Sequence, residues 1–201
     1  MKKITVLDRV LLLATVLLAA YQISFGLNDL KPTATWSYTT GFGVLLVAGL
    51  LLIILGFEGL ESQVVVIVST LIPLSISLGL IAEHLPQFTI PYLLFFVLSF
   101  LAVAVTRYAV EGNIATIVLA ATHGIAGLLI TFLPVFLSIQ GRVSSAYILV
   151  GLGGALIGLG GLLLAFLKAG KPILPRNTIL SILPGLLLLM TASYLAGFLL
   201  K

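Results

Sequence analysis

The chain has 201 residues, of which 61% are hydrophobic and only 8% are charged, and its mean hydropathy is +1.30. A soluble domain is usually about 25% charged, so this chain has too few charges to cover a surface that faces water. The composition excludes a soluble globular domain and predicts an all-α, polytopic integral protein of the cell membrane.

The formal net charge of +4 comes from lysines and arginines at the ends of apolar stretches, not from a basic cluster with interleaved aromatic residues. We therefore expect these cations to set the topology and to contact membrane lipids, and we expect no nucleic acid partner. The chain has no cysteine, which excludes disulfides, thiolate metal sites and thiol redox chemistry.

Seven apolar stretches are long enough to cross a bilayer, since a helical crossing needs about 20 residues. They must be helices because hydrocarbon offers no partner to backbone polar groups, and they lack the alternation of barrel strands. The intervals between them carry turn residues. The predicted helices of this single transmembrane domain, 1–201, span 9–27, 40–57, 64–83, 90–108, 114–138, 146–168 and 177–200.

The first crossing begins like a signal peptide, with two lysines before an apolar run. No pair of small residues at cleavage spacing ends the run, which continues to Leu27, so we predict an uncleaved crossing followed by a loop over 28–40. Tyr21 and Gln22 lie inside the run. A buried amide needs a partner, which indicates either a shallow external polar pocket or a hydrogen bond between helices.

A proline lies inside the third crossing. Pro73 leaves a carbonyl without its usual donor and is expected to kink the helix. The hydroxyls of Ser69, Thr70, Ser75 and Ser77 surround it. They either repair the backbone locally or contact a solute, so Ser75 and Ser77 are candidate site residues.

The fifth crossing carries His123 about ten residues from its start. On a helical wheel, small residues share its side, whereas the opposite side is bulky and apolar. We expect His123 to face the bundle interior, where it makes either a structural hydrogen bond between helices or a contact with a solute, proton or cofactor. The candidate substrate-binding residues are His123, Thr122, Gln22, Tyr21, Ser75 and Ser77.

The sixth crossing is rich in glycine. Gly154, Gly158 and Gly161 predict a face that packs closely on another helix, either within the bundle, in another membrane subunit or in a second copy of the chain. We expect Gly158→Leu to overpack this face and Leu163 to lie against lipid.

An internal repeat would pair crossings one to three with five to seven and leave the fourth as a linker. Its basis is an offset of 111 residues, under which the first and fifth crossings match poorly. The offset places Gly43, Gly49, Gly59 and Pro73 on Gly154, Gly160, Gly170 and Pro184.

The positive charges predict the orientation. With seven crossings, the N-terminus shares one side with the second, fourth and sixth loops. That side carries seven cations: Lys2, Lys3, Arg9, Arg107, Lys168, Lys171 and Arg176. The other side carries three: Lys31, Arg142 and Lys201. The excess favours a cytoplasmic N-terminus and an external C-terminus.

The sequence holds no catalytic motif. Serine-nucleophile, zinc-helix and paired mid-membrane acid patterns are missing, and all six acids lie at predicted helix ends or loops. We therefore expect no metal and no cofactor. A haem between His84 and His123 is disfavoured because their predicted depths differ by roughly 15 Å.

Two functional hypotheses are favoured equally. The first is a small transporter or channel for an uncharged or weakly charged solute. The alternative is a non-catalytic accessory or anchoring subunit of a larger membrane complex. An enzyme that acts on lipid, or a protein that binds haem or quinone, is less favoured than either. A transporter should have a water-accessible cavity that reaches His123 or Gln22. In an accessory subunit, these residues should be buried without access to water.

Overall fold

The computed structural model describes residues 2–27, 30–110 and 113–201. Regular structure in these ranges is helical. The eight α-helices are α1 Val6–Phe25, α2 Pro32–Leu55, α3 Gln63–Ser69, α4 Leu71–His84, α5 Thr89–Ala109, α6 Ile114–Ile139, α7 Ile148–Lys168 and α8 Arg176–Leu199. Three short 3-10 helices accompany them: Gly56–Glu61, Pro86–Phe88 and Ser145–Tyr147.

Within the described ranges, seven helical spans are long and apolar enough to cross a membrane. This confirms the all-α class and the predicted number of crossings. The third span consists of α3 and α4 together, so the fifth, sixth and seventh crossings are α6, α7 and α8.

The second crossing begins earlier than predicted. α2 starts at Pro32, so the expected loop over 28–40 is wrong from that residue onward. Proline is favourable at a first helical position because its missing N–H has no acceptor there anyway. The extra turns also bury Ala34, Ser37 and Tyr38. The predicted breaks at 28–29 and 111–112 lie outside the described residues.

The third crossing breaks at Thr70, three residues before Pro73. The Thr70 N–H donates to the Ile67 carbonyl at 3.1 Å, so the Val66 carbonyl loses its regular helical donor. The Ser69 hydroxyl donates to that carbonyl at 2.8 Å. Pro73 accounts for the break because its ring crowds the Ser69 carbonyl, four residues earlier, while the Ser69 hydroxyl satisfies the Val66 carbonyl that the break leaves without its helical donor.

The bundle has two ends, defined here by ion pairs. At the basic end, Arg176 pairs with Glu61 at 2.7 Å and the Lys2 ammonium lies 5.2 Å from the Phe57 ring centre. At the Glu83 end, the C-terminal residue Lys201 contacts Glu83. The N-terminal and C-terminal residues therefore lie at opposite ends of the bundle, as an odd number of crossings requires.

Glycines bring α6 and α7 together. A Cβ added to Gly127 would lie 3.3 Å from the Gly158 Cα, and one added to Gly154 would lie 2.7 Å from the Ile130 carbonyl carbon. Such spacing lets the two backbones touch. A Cβ on Gly158 itself meets open space, so the expected overpacking by Gly158→Leu is wrong. Leu163 is buried, 5% exposed, and does not face lipid.

The helix α5 lies at the edge of the bundle. Val103 is its only buried residue among those described. It packs with Ile67, Leu119 and Ala165, which belong to α3, α6 and α7. One face of α5 therefore contacts the bundle, and the rest of its apolar surface faces outward.

Candidate functional site

A cavity of about 390 Å³ lies between α2, the short 3-10 helix 56–61, α3, α4, α6, α7 and α8. Its size is within the range of small-molecule sites, roughly 300–1,000 Å³. Leucine dominates the wall, with Leu45, Leu52, Leu119 and Leu164 among the lining residues. Its polar lining residues are Ser69, His123, Glu61, Lys168 and Arg176. Apolar walls with a few convergent polar groups are typical of binding sites.

His123 lines the interior of this cavity and is only 9% exposed. Its Nδ1 lies 3.1 Å from the Leu119 carbonyl. A carbonyl only accepts, so Nδ1 carries the proton and Nε2 is the acceptor of the neutral ring. Nε2 has no hydrogen-bond partner among the described residues. The structural bond is thus within α6, not between helices.

Gly161 of α7 makes the room for this ring. A Cβ at Gly161 would lie 2.6 Å from the His123 Cδ2, closer than real contacts allow. The predicted inward direction of His123 is confirmed by its burial. Ala126, Ile130 and Pro134 are buried in the same helix.

The cavity opens at the basic end. Its lining reaches Glu61 and Arg176, whose side chains are 58% and 50% exposed. Lys168, in the last turn of α7, lies within electrostatic reach of Glu61, Arg107 and Arg176. Among the described residues, two other cations and one carboxylate therefore interact with Lys168 at this opening.

Arg107 interacts with Lys168 but does not line the cavity. Its Nε and Nη2 atoms are buried and have no hydrogen-bond partner in the part of the chain that the structure describes. Buried guanidinium donors usually have acceptors. The residue lies one turn beyond Val103 on the inner face of α5.

The Glu83 end is closed by paired polar groups. Glu83 accepts a hydrogen bond from the Tyr38 hydroxyl at 2.8 Å and contacts the Lys201 ammonium. The neighbouring His84 shares a 2.9 Å hydrogen bond with the Tyr147 hydroxyl. The side chains of Glu83 and His84 are 9% and 10% exposed. These contacts connect α2, α4, the 3-10 helix Ser145–Tyr147 and Lys201.

Beneath these groups lies an aromatic layer, which we define as Tyr38, Phe42, Tyr147, Tyr194 and Phe198. The Phe198 ring centre is 4.7 Å from that of Tyr38 and between 6.0 and 6.4 Å from the other three. All five residues are buried. Tilted and edge-to-face rings at these distances are mutually stabilising, so this end is filled.

Tyr38 lies in the second turn of α2, near the helix end where tyrosines often belong to an interfacial aromatic belt. The structure buries its side chain and bonds it to Glu83. Gly79 provides the space, because a Cβ there would lie 2.5 Å from the Tyr38 ring.

Tyr21 and Gln22 do not reach the cavity. Tyr21 is 42% exposed, and its ring lies 4.5 Å from that of Phe25. Gln22 is buried, with its Nε2 at 3.5 Å from the Gly26 carbonyl and its Oε1 without a partner among described residues. The space that adjoins Gln22 holds only about 10 Å³.

The candidate hydroxyls also lie away from the cavity. Thr122 donates to the Val118 carbonyl at 2.9 Å. Ser77 donates to the Pro73 carbonyl at 2.6 Å and accepts from the Tyr92 hydroxyl at 2.7 Å. Ser75 is 1% exposed and is not a lining residue. Of the six predicted residues, His123 alone lines the cavity.

Sequence reasoning did not assign Ser69, Glu61, Lys168 and Arg176 to the site. Ser69 was grouped with the repair of the helix around Pro73. The cations were interpreted as topology signals, although a short connection between α7 and α8 does bring Lys168 and Arg176 to one end. Nothing in the sequence indicated that Glu61 belongs to the site, because its partner Arg176 is 115 residues away.

The fold is compatible with a multi-pass membrane protein, since the described ranges contain seven candidate membrane-spanning helices. Comparison of the chain with protein-family models, curated protein sequences and solved structures finds no match. The functional proposal therefore depends on the geometry of the cavity and its two ends.

Proposed function

We propose that the protein is a small transporter of the cell membrane, which takes a largely apolar, uncharged or weakly charged solute into the cavity beside His123. The observation that carries the proposal is asymmetry: the cavity opens at the basic end, while the aromatic layer fills the Glu83 end. A transporter that alternates access around a central site has this shape in one of its states.

The charge distribution supports an orientation for this cavity. Seven of the ten cations belong to the basic end, and such an excess marks the cytoplasmic side. The N-terminus would then be cytoplasmic, the C-terminus external, and the cavity open towards the cytoplasm.

The polar groups of the cavity suggest how a solute would be oriented. The unpartnered Nε2 of His123 can accept a hydrogen bond from a solute hydroxyl or amide. Around it the wall is mainly leucine, which favours an apolar body. The break at Thr70 and the proline in α8, Pro184, are sites where two of the lining helices could bend.

Thiol accessibility tests this proposal directly, because the chain has no cysteine of its own. Ser69→Cys places a thiol on the cavity wall, and Ser75→Cys, 1% exposed in the same crossing, is the matched control. In vesicles of known protein orientation, we expect a membrane-impermeant maleimide to label Ser69→Cys from either side, and Ser75→Cys from neither.

Labelling of Ser69→Cys from the basic end alone would leave a binding pocket without transport and would contradict the proposal. The absence of labelling from both sides would mean a dry interior. That result would favour the alternative of an accessory subunit.

A second candidate function, an accessory or anchoring subunit, is favoured by α5, which buries only Val103 among its residues. Lipid or a partner membrane subunit can cover the remaining apolar surface. Purification from the native membrane tests this, since a subunit should co-migrate with a defined partner at fixed stoichiometry.

A further inference from the structure

We infer that the cavity binds an anionic amphiphile, with its carboxylate or phosphate head beside Lys168 and Arg176 and its apolar chain along the leucine wall. The inference rests on the proposed function in using the same cavity, and it narrows the weakly charged solute of that proposal to an anion. Binding and transport are nevertheless tested separately below.

The first support is the imbalance of charge at the opening. Glu61 is the carboxylate that interacts with Lys168 among the described residues, and it pairs with Arg176. Lys168 lines the cavity and has no ion pair in the part of the chain that the structure describes. A cation beside a low-dielectric cavity favours an anion that compensates it. A head group with a negative charge would supply the counter-charge for Lys168.

The second support is the position of two cations on the cavity wall. Lys168 in the last turn of α7 and Arg176 at the start of α8 both line the cavity. Neighbouring cations can bind the oxygens of a carboxylate or phosphate head. Arg107 interacts with Lys168, but its unpartnered donors are buried and it does not line the cavity, so it is not part of the head-group site.

The third support is the shape of the space behind the charges. On α7, Gly161, which contacts His123, precedes Lys168 by seven residues. At 1.5 Å per residue, the deep end is roughly 10 Å from the head-group position. The wall over this depth includes Leu119, Leu164 and Leu183. It suits an alkyl chain and disfavours a fully hydrophilic anion, which would lose its hydration without compensation.

Protection of Ser69→Cys from maleimide provides the binding assay, in vesicles of phosphatidylcholine. Four probes share one alkyl chain and differ in the head: decanoate, decyl phosphate, decanol and decyltrimethylammonium. We expect the two anions to protect the thiol at concentrations about tenfold lower than the alcohol, as one charge-assisted contact implies. The cation should protect least. Equal protection by decanoate and decanol would overturn the inference.

Charge-removing variants locate the head group. Lys168→Gln should weaken protection by decanoate about tenfold. Lys171→Gln removes a cation at the same end that does not line the cavity, and it should leave protection unchanged. Lys168 is an exposed side chain, so its variant is expected to fold. Unchanged protection in Lys168→Gln would overturn the inference.

Two sources could supply the same chemistry, a free amphiphile or a membrane lipid. Phosphatidylglycerol added to the vesicles protects the thiol if the head group of a membrane lipid enters, whereas decanoate alone protects it if the site takes free amphiphiles. If maleimide labels Ser69→Cys from both sides but the anions protect the thiol no better than decanol, the inference fails and the transport proposal stands. If the anions protect it better but labelling occurs from one side only, the transport proposal fails and the inference stands.

Discussion

The two ends of the bundle use similar residues in different ways. At the Glu83 end, the carboxylate meets Tyr38 and Lys201, and five aromatic residues pack beneath it. At the basic end, the carboxylate of Glu61 meets one of three nearby cations, and leucines surround an empty volume. One end is filled and its carboxylate is paired, whereas at the other end Lys168 lines an open cavity without an ion pair among the described residues.

This difference teaches that charged residues at a membrane helix end do not by themselves indicate a binding site. What distinguishes the ends is the balance of charges and the side chains immediately beneath them. Buried charges with full partners contribute to helix association, whereas an excess of one sign above an apolar space favours a ligand of the opposite sign. The following experiments test the contrast.

The largest expected effect is at the aromatic layer. Phe198→Ala removes a buried ring that contacts four others, and such truncations cost about 3–5 kcal/mol. Phe132→Ala, at 64% exposure on α6, is the control and should change stability little. Unfolding in detergent measures both. Similar losses for the two variants would mean that the Glu83 end is not held by this layer.

A substitution that overfills the same region should also destabilise it. Gly153→Leu places its Cβ 2.5 Å from the Tyr194 ring, and overpacking costs about 1–3 kcal/mol. Gly158→Leu, in the same helix, has open space at its Cβ and is the matched control. Thermal unfolding should rank Gly153→Leu as the worse change, and the reverse ranking would contradict the described packing of α7.

How far the sequence predicted the fold depends on which forces decided each feature. The seven crossings follow from apolar length alone, and the direction of His123 follows from the bulky residues opposite it on α6. The start of α2 at Pro32 did not follow, because polar residues there suggested a loop. Burial of Tyr38 against α4 outweighed that local signal.

The site was harder to predict, since it joins residues that are distant along the chain. Glu61 and Arg176 are separated by 115 residues, and Tyr38 and Glu83 by 45. Hydropathy places each charge at a helix end but does not say which ends are neighbours. Ser69 gave a hydroxyl signal, but only the break at Thr70 and the surrounding helices put it on the cavity wall.

A buried carboxylate can be tested by neutralising it. Glu83→Gln keeps the shape but weakens the bonds from Tyr38 and Lys201, and the loss of a charged, largely buried acceptor should cost about 1–3 kcal/mol. Denaturation in detergent would measure the loss. Tyr38→Phe in the Glu83→Gln background should then add little, because the two residues act through one contact.

His123→Phe separates stability from solute access. The change keeps a ring beside Gly161 and removes the bond to Leu119, so stability should fall by about 1 kcal/mol. Under the proposed function, labelling of Ser69→Cys from the Glu83 end should also fall. Normal access from both sides in His123→Phe would assign the histidine a structural role only.

The smallest expected effect completes the contrast between the two carboxylates. Glu61→Gln breaks the ion pair with Arg176, but both side chains are at least half exposed, and such pairs contribute about 0–1 kcal/mol. Stability should therefore change much less than in Glu83→Gln. Binding should change in the opposite sense, because the loss of the carboxylate makes the opening more positive by one charge. Protection of Ser69→Cys by decanoate should strengthen and that by decanol should not, whereas a loss of stability as large as that of Glu83→Gln would mean that both ends are held closed by their ion pairs.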